Sequence, residues 1–142
     1  MHSGAAVILV LAVAPLQAQP QDLLVQLIND YRAAPGNCKG ATGAPVPPLV
    51  AHPVLSKLTI GPGTLLEPLL ERAGYPVGHA EAISVTGAPD AAGALKAIIS
   101  KNCTILLNPD FVTAGSSNTG DNWLLVLAQS AIVRKLPDAA SA

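Results

Sequence analysis

The stretch from Asn102 to Gly115 (Asn-Cys-Thr-Ile-Leu-Leu-Asn-Pro-Asp-Phe-Val-Thr-Ala-Gly) constrains the fold of this chain more than any other. The Asn108-Pro109 step stops whatever precedes it, because a residue before proline is pushed out of the α region. A β-like segment then runs from Phe111 to a glycine that it needs at its end, Gly115. The stretch therefore predicts a helical turn, a stop and a strand. One of only two cysteines in the chain, Cys103, pins its start.

The 142 residues leave room for one domain. Half the residues are apolar, yet the chain has one Trp, one Phe and two Tyr. The core must be built from aliphatic side chains. The net charge is −1 and the eight basic residues are scattered, so no basic stripe exists to neutralise phosphates and nucleic-acid binding is not expected. Ala5–Leu16 is an apolar run, short for a bilayer span, followed by small residues with Ala18 before a plausible cut. That pattern predicts a secretory signal peptide over residues 1–18. The alternative is a buried N-terminal helix. With the leader removed, no second apolar segment is long enough to cross a membrane.

Along the remaining chain, Leu24, Leu27, Ile28 and Tyr31 recur at helical spacing within 22–34. Pro35-Gly36-Asn37 ends that helix. Residues 39–48, rich in Gly, Ala and Pro, read as an irregular loop, and 53–60 as a short helix. A further helix ends at Gly74. Thr64-Leu65-Leu66-Glu67 has the form of a capping box for its start, but Pro68 argues against a helical Glu67. The alternative start is Pro68 itself, a residue welcome at the first helical position. Residues 90–100 read as a helix capped by Asp90. Two strands, 111–116 and 122–129, are joined by the turn Asn118-Thr119-Gly120-Asp121. Trp123–Ala128 is apolar without alternation, which suits a strand covered on both faces. Residues 130–142 read as a tail. Were 123–128 helical instead, the chain would be a mostly helical bundle.

Four pieces of this sequence resemble bacterial members of the CAP superfamily, the cysteine-rich secretory, antigen 5 and pathogenesis-related proteins. They are Leu27-Ile28-Asn29-x-Tyr31-Arg32-Ala33 with Cys38 following, and the turn Arg72-Ala73-Gly74-Tyr75. The others are Ala80-Glu81-Ala82-Ile83 and the run from Cys103 through Leu107-Asn108-Pro109-x-Phe111 to Gly115. The resemblance covers roughly residues 22–129. It implies an α/β fold, an α-β-α sandwich with a small, mostly antiparallel sheet between helices. It also implies a Cys38–Cys103 disulfide. Such a bridge suits an exported chain and closes a loop of about 65 residues, worth about 4 kcal/mol by chain entropy. A zinc site or a thiol nucleophile are the competing readings for the two cysteines, and both lack histidine partners at useful spacing.

In that family, two histidines and two acidic residues line a central cavity. The resemblance places Glu81 on one acidic position. His79, two residues earlier, shares a strand face with Glu81. Asn102 stands where the family has a cavity histidine, and an amide neither shuttles protons near neutrality nor ligates metal strongly. The run from Lys57 to Thr64 contains no histidine to supply the other. His52 precedes a proline outside that position and reads as a surface loop residue. Ser84, Ser100 and Thr104 lie near these segments without an evident base beside them. The expectation is therefore a secreted or periplasmic, monomeric, non-enzymatic binding or structural module with a degenerate cavity, no metal and no cofactor. Its partner would be a protein, a glycan or a lipid. The alternative is a metal-dependent or His/Glu hydrolase that uses Glu81 and His79.

Overall fold

A computed structural model describes residues 22–61 and 63–130. The expected leader, 1–18, and the tail beyond Ser130 lie outside the described residues. Helix α1 (Leu23–Ala33) starts where Asp22, in an extended conformation, accepts the Val25 amide at 3.1 Å, which satisfies one of the free donors of the first turn. Leu24, Val25, Ile28 and Arg32 form its buried stripe, with Leu27 and Tyr31 partly buried beside it.

The expected loop over 39–48 begins as a miniature hairpin instead. Strands β1 (Asn37–Cys38) and β2 (Ala41–Thr42) pair antiparallel through Lys39 and Gly40, whose φ values are 55° and 84°. Positive φ at both turn residues is what a two-residue I′ hairpin demands. A ladder this short leaves no periodicity in the sequence. Strand β3 (Val50–Ala51) precedes helix α2 (Pro53–Ser56), which is shorter than expected. His52 is not a free loop residue. Its Nδ1 accepts the Val54 amide at 3.1 Å to cap α2, and its ring meets Tyr75 edge-on at 5.1 Å.

Helix α3 (Leu66–Arg72) starts two residues before Pro68. Proline at the third helical position forfeits nothing, since that amide has no intrahelical acceptor. The helix ends in a Schellman cap. Gly74 at φ 91° donates to Glu71 O at 3.1 Å, and Tyr75 N–H donates to Leu70 O at 2.9 Å. That geometry accounts for the Arg-Ala-Gly-Tyr turn. Strand β4 (Val77–Val85) follows. Helix α4 (Ala91–Leu106) is capped by Asp90 on Gly93 N–H at 2.8 Å and kinked at Asn102, where φ is −135° and ψ 28°. Strands β5 (Thr113–Thr119) and β6 (Asn122–Ser130) complete the chain, the latter one residue longer than expected.

The main sheet has the order β3-β5-β6-β4, with β3 parallel to β5 and the other pairs antiparallel. Strand β6 is central, and Leu125–Ala128 are fully buried. Leu125 and Leu127 join a core with α1 and α4, while Val126 and Ala128 join one with α2 and α3. The chain is thus an α-β-α sandwich, as the sequence predicts. Gly115 lies within β5, and an added Cβ would sit 2.5 Å from Ser56 N and 2.6 Å from the Leu55 carbonyl carbon. The glycine is needed there because the backbone of α2 lies against it.

Two polar residues of α1 fasten the layers. Asn29 donates to Leu49 O at 2.9 Å and accepts Leu49 N–H at 2.7 Å. Arg32, only 1% exposed, donates to Pro47 O at 2.8 Å, Leu106 O at 2.7 Å, and Asn108 O and Phe111 O at 3.3 Å. Its guanidinium collects the carbonyls left over at the Asn-Pro break. Burial lowers its pKa, against the favourable placement of a cation at a helix C-terminus.

Candidate functional site

Strand β4 forms one edge of the main sheet among the described residues. A register shift falls between Val77 and His79. The bulge lets Val77 pack with α3 while His79 and Glu81 face the other way, toward Phe111. His79 Nε2 lies 3.2 Å from Glu81 Oε2, so the shared face expected from strand spacing is present. The structure adds a residue that the sequence reading missed. Glu67 of α3 reaches round the edge of β4 and sets Oε2 3.4 Å from His79 Nδ1. The imidazole stacks on Phe111, with centroids 5.7 Å apart and planes inclined by 21°.

Each ring nitrogen therefore faces its own carboxylate. A doubly protonated imidazole donates to both, whereas a neutral one donates to only one. The three side chains are between 40% and 51% exposed, where such pairs contribute at most about 1 kcal/mol. The carboxylates stand on opposite nitrogens and do not converge on one point. Among the described residues, no group of three His, Cys, Asp or Glu side chains is arranged to hold a metal ion. His79 with a carboxylate is the base-and-orienter half of a catalytic triad. No hydrogen bond joins it to Ser84, Ser100 or Thr104 among the described residues; Thr104 Oγ1 lies 3.9 Å from Cys38 Sγ. Asn102 sits half-buried at the α4 kink, with no hydrogen bond to His79 or Glu81. Cys38 and Cys103 are bridged, which ties β1 to α4 beside that kink.

Glu67 had a legible signal. The capping-box pattern Thr64-Leu65-Leu66-Glu67 pointed to a helix start before Pro68, against the bias of a residue before proline away from the α region. In the fold Glu67 projects from the first turn of α3. A different part of the molecule holds a larger concavity. A cleft of about 530 Å³ opens between the N-terminal ends of α1 and α4 and the β5–β6 hairpin. Trp123 lines it, and His79 pairs with Gln129. Those two positions are six residues apart along β6, or about 20 Å.

No protein-family model matches the sequence, and no curated protein matches it. Solved structures do. A cysteine-rich secretory protein from Staphylococcus aureus subsp. aureus Mu50 superposes with a TM-score of 0.60 at 14% identity, over 82% of this chain and 40% of its own. The chain has an SCP-like fold. An extracellular SCP-domain protein from Bacillus anthracis strain Ames superposes with a TM-score of 0.56 at 15% identity, over 83% of this chain and 45% of its own. The chain thus spans less than half the length of either. Within the SCP-like fold, the β4 edge brings together two of the three residues expected in a cavity remnant. Asn102 makes no contact with them among the hydrogen bonds of the described residues.

Proposed function

We propose that this chain is an exported, non-enzymatic binding or structural module on the SCP-like fold. One observation carries the reading: His79 is shared between Glu67 and Glu81 at the open β4 edge, and among the described residues no hydroxyl or thiol is hydrogen-bonded to it. Hydrolysis needs a nucleophile or an activated water held beside a base and shielded from bulk solvent. Both cysteines are consumed by the bridge, and none is free among the described residues. Export is supported by that bridge and by the leader pattern of residues 1–18. It is supported too by the extracellular and secretory character of the two similar structures. Among the described residues no helix is long and apolar enough to cross a membrane.

A second reading is favoured by the His79–Glu81 contact itself, since an oriented imidazole is half of a hydrolytic site. The two are separated by measuring bound metal in protein purified without chelators, and by screening turnover of ester, peptide and glycoside substrates. The expected outcome is no stoichiometric zinc and no turnover that depends on His79 or Glu81. Glu81→Gln should shift stability by less than about 1 kcal/mol. Zinc retained at one equivalent and lost in His79→Ala, or hydrolysis lost in both variants, would establish the enzyme reading instead.

A further inference from the structure

The cleft of about 530 Å³ lies within the size range of small-ligand sites, and its polar atoms can be accounted for one by one. Asp22 is consumed by the fold. Its Oδ1 accepts Val25 N–H and the Ser116 hydroxyl, and its Oδ2 accepts Ser116 N–H at 2.7 Å. Asp90 uses Oδ1 on Gly93 N–H, and no partner occupies Oδ2 among the described residues. Asn118 donates from Nδ2 to Gly120 O at 3.2 Å, and its Oδ1 has no partner among the described residues. Ser56 donates its hydroxyl to His52 O at 3.3 Å, and Ser117 has no hydroxyl partner among the described residues. What the cleft offers is therefore mainly acceptors.

The apolar wall is fixed in place. Trp123 donates Nε1–H to Ala88 O at 2.9 Å, and Ala88 N–H donates to Asp121 O at 3.1 Å. These two bonds lock the loop before α4 to the hairpin. They also use up the one polar atom of the indole, so what it presents to the cleft beside Pro89 is hydrocarbon. Two carboxylates in the lining disfavour an anion, and the N-terminal dipole of each helix already faces its own capping carboxylate.

We infer that this cleft binds a neutral pyranose unit of a glycan, with the sugar's C–H face on Trp123 and its hydroxyls donating to Asp90 Oδ2 and Asn118 Oδ1. A pyranose combines one apolar face with a rim of donors, which is the complement of this lining. The inference rests on the binding-module reading and gives it a ligand class, but the two fail separately. Hydrolysis that tracks His79 and Glu81 would sink the module reading. An empty cleft would sink only this one.

Trp123 is the single tryptophan of the chain, so its fluorescence reports the cleft directly. The full chain is titrated with glucose, galactose and N-acetylglucosamine, and with glucuronate and glucosamine as charged comparisons. Saturation-transfer NMR serves as a second readout. At least one neutral sugar should give a saturable change with a Kd of about 1 mM. Asp90→Asn keeps an equally good helix cap and Asn118→Ala removes the open amide oxygen. Each should weaken binding about tenfold, the loss of one hydrogen bond. Lys96→Ala, at an exposed position on α4, should bind as the unaltered chain does. No response to any neutral sugar at about 50 mM, a response unchanged in both cleft variants, or binding of the charged sugars alone would overturn the inference.

Discussion

Replacing Arg32 with methionine keeps the buried stem and removes the guanidinium, and it should destabilise the fold by about 3 kcal/mol. Four carbonyls lose their donor, two of them at 2.7 and 2.8 Å and two at 3.3 Å. The short contacts are charge-assisted and worth about 1.5–3 kcal/mol each; the longer two add less. Relief of a buried cation offsets part of this, because burying a charge costs several kcal/mol. No ion pair to Arg32 is present among the described residues. Methionine cannot satisfy the carbonyls of Leu106 and Phe111, whose bonds to Arg32 are buried, so their desolvation, about 1–3 kcal/mol each, sets the balance. Asn108 O keeps the Phe111 amide. Urea unfolding followed by Trp123 fluorescence reads the change. With an m-value of about 1.5 kcal/mol per molar, the midpoint should fall by about 2 M. Arg32→Lys keeps the charge but puts its donors on one nitrogen, and should recover roughly half of the loss. A midpoint for Arg32→Met within about 0.3 M of the unaltered chain would refute this account. So would full rescue by lysine, since charge alone would then suffice.

Gly115→Ala should cost about 3 kcal/mol and lower Tm by about 12 °C or more in thermal unfolding, because its Cβ would strike the backbone of α2. The double variant Cys38→Ala, Cys103→Ala should lose up to about 4 kcal/mol in denaturant titration, the loop entropy of the 65-residue separation. Tyr31→Phe should be neutral or stabilising by about 1 kcal/mol, because the buried Tyr31 hydroxyl has no partner among the described residues. Burial also raises the Tyr31 pKa. Both states keep the phenol protonated below pH about 10. Above it the unfolded chain ionises first, so stability falls as pH rises through the folded-state value. Tyr31→Phe should remove that part of the alkaline loss, measured as midpoints across the pH range.

Much of the architecture was legible because its causes are local. Asp90 caps the helix that it precedes, and Asn108-Pro109 stops α4 through a steric rule between neighbours. Gly74 closes α3 because only a left-handed residue completes that cap. The unalternating run from Trp123 to Ala128 announced a strand buried on both faces, and β6 is that strand. The β1–β2 pair escaped for want of length, and the early start of α3 was left open because the bias of a residue before proline counted against a helical Glu67. At the candidate site, His79 and Glu81 could be paired from strand period alone, since they lie two residues apart.

What only the tertiary structure decided are the contacts between segments distant in sequence. The partners of Arg32 lie 15 to 79 residues away, and a hydrogen bond over such separation leaves no periodic trace. Arg32 stands in the last turn of α1, a favourable place for a cation; in the fold it is the buried donor that holds the Asn-Pro break. Glu67 meets His79 only because α3 packs against the edge of β4, and the bulge after Val77 settles which face the imidazole takes. Gly115 is required by the approach of α2, and the cleft at Trp123 exists only where two helix starts and a hairpin converge. By itself, the sequence determined the longer elements and which faces they bury, because propensity, capping and period act over a few residues. Which polar groups then meet is a property of the packed layers.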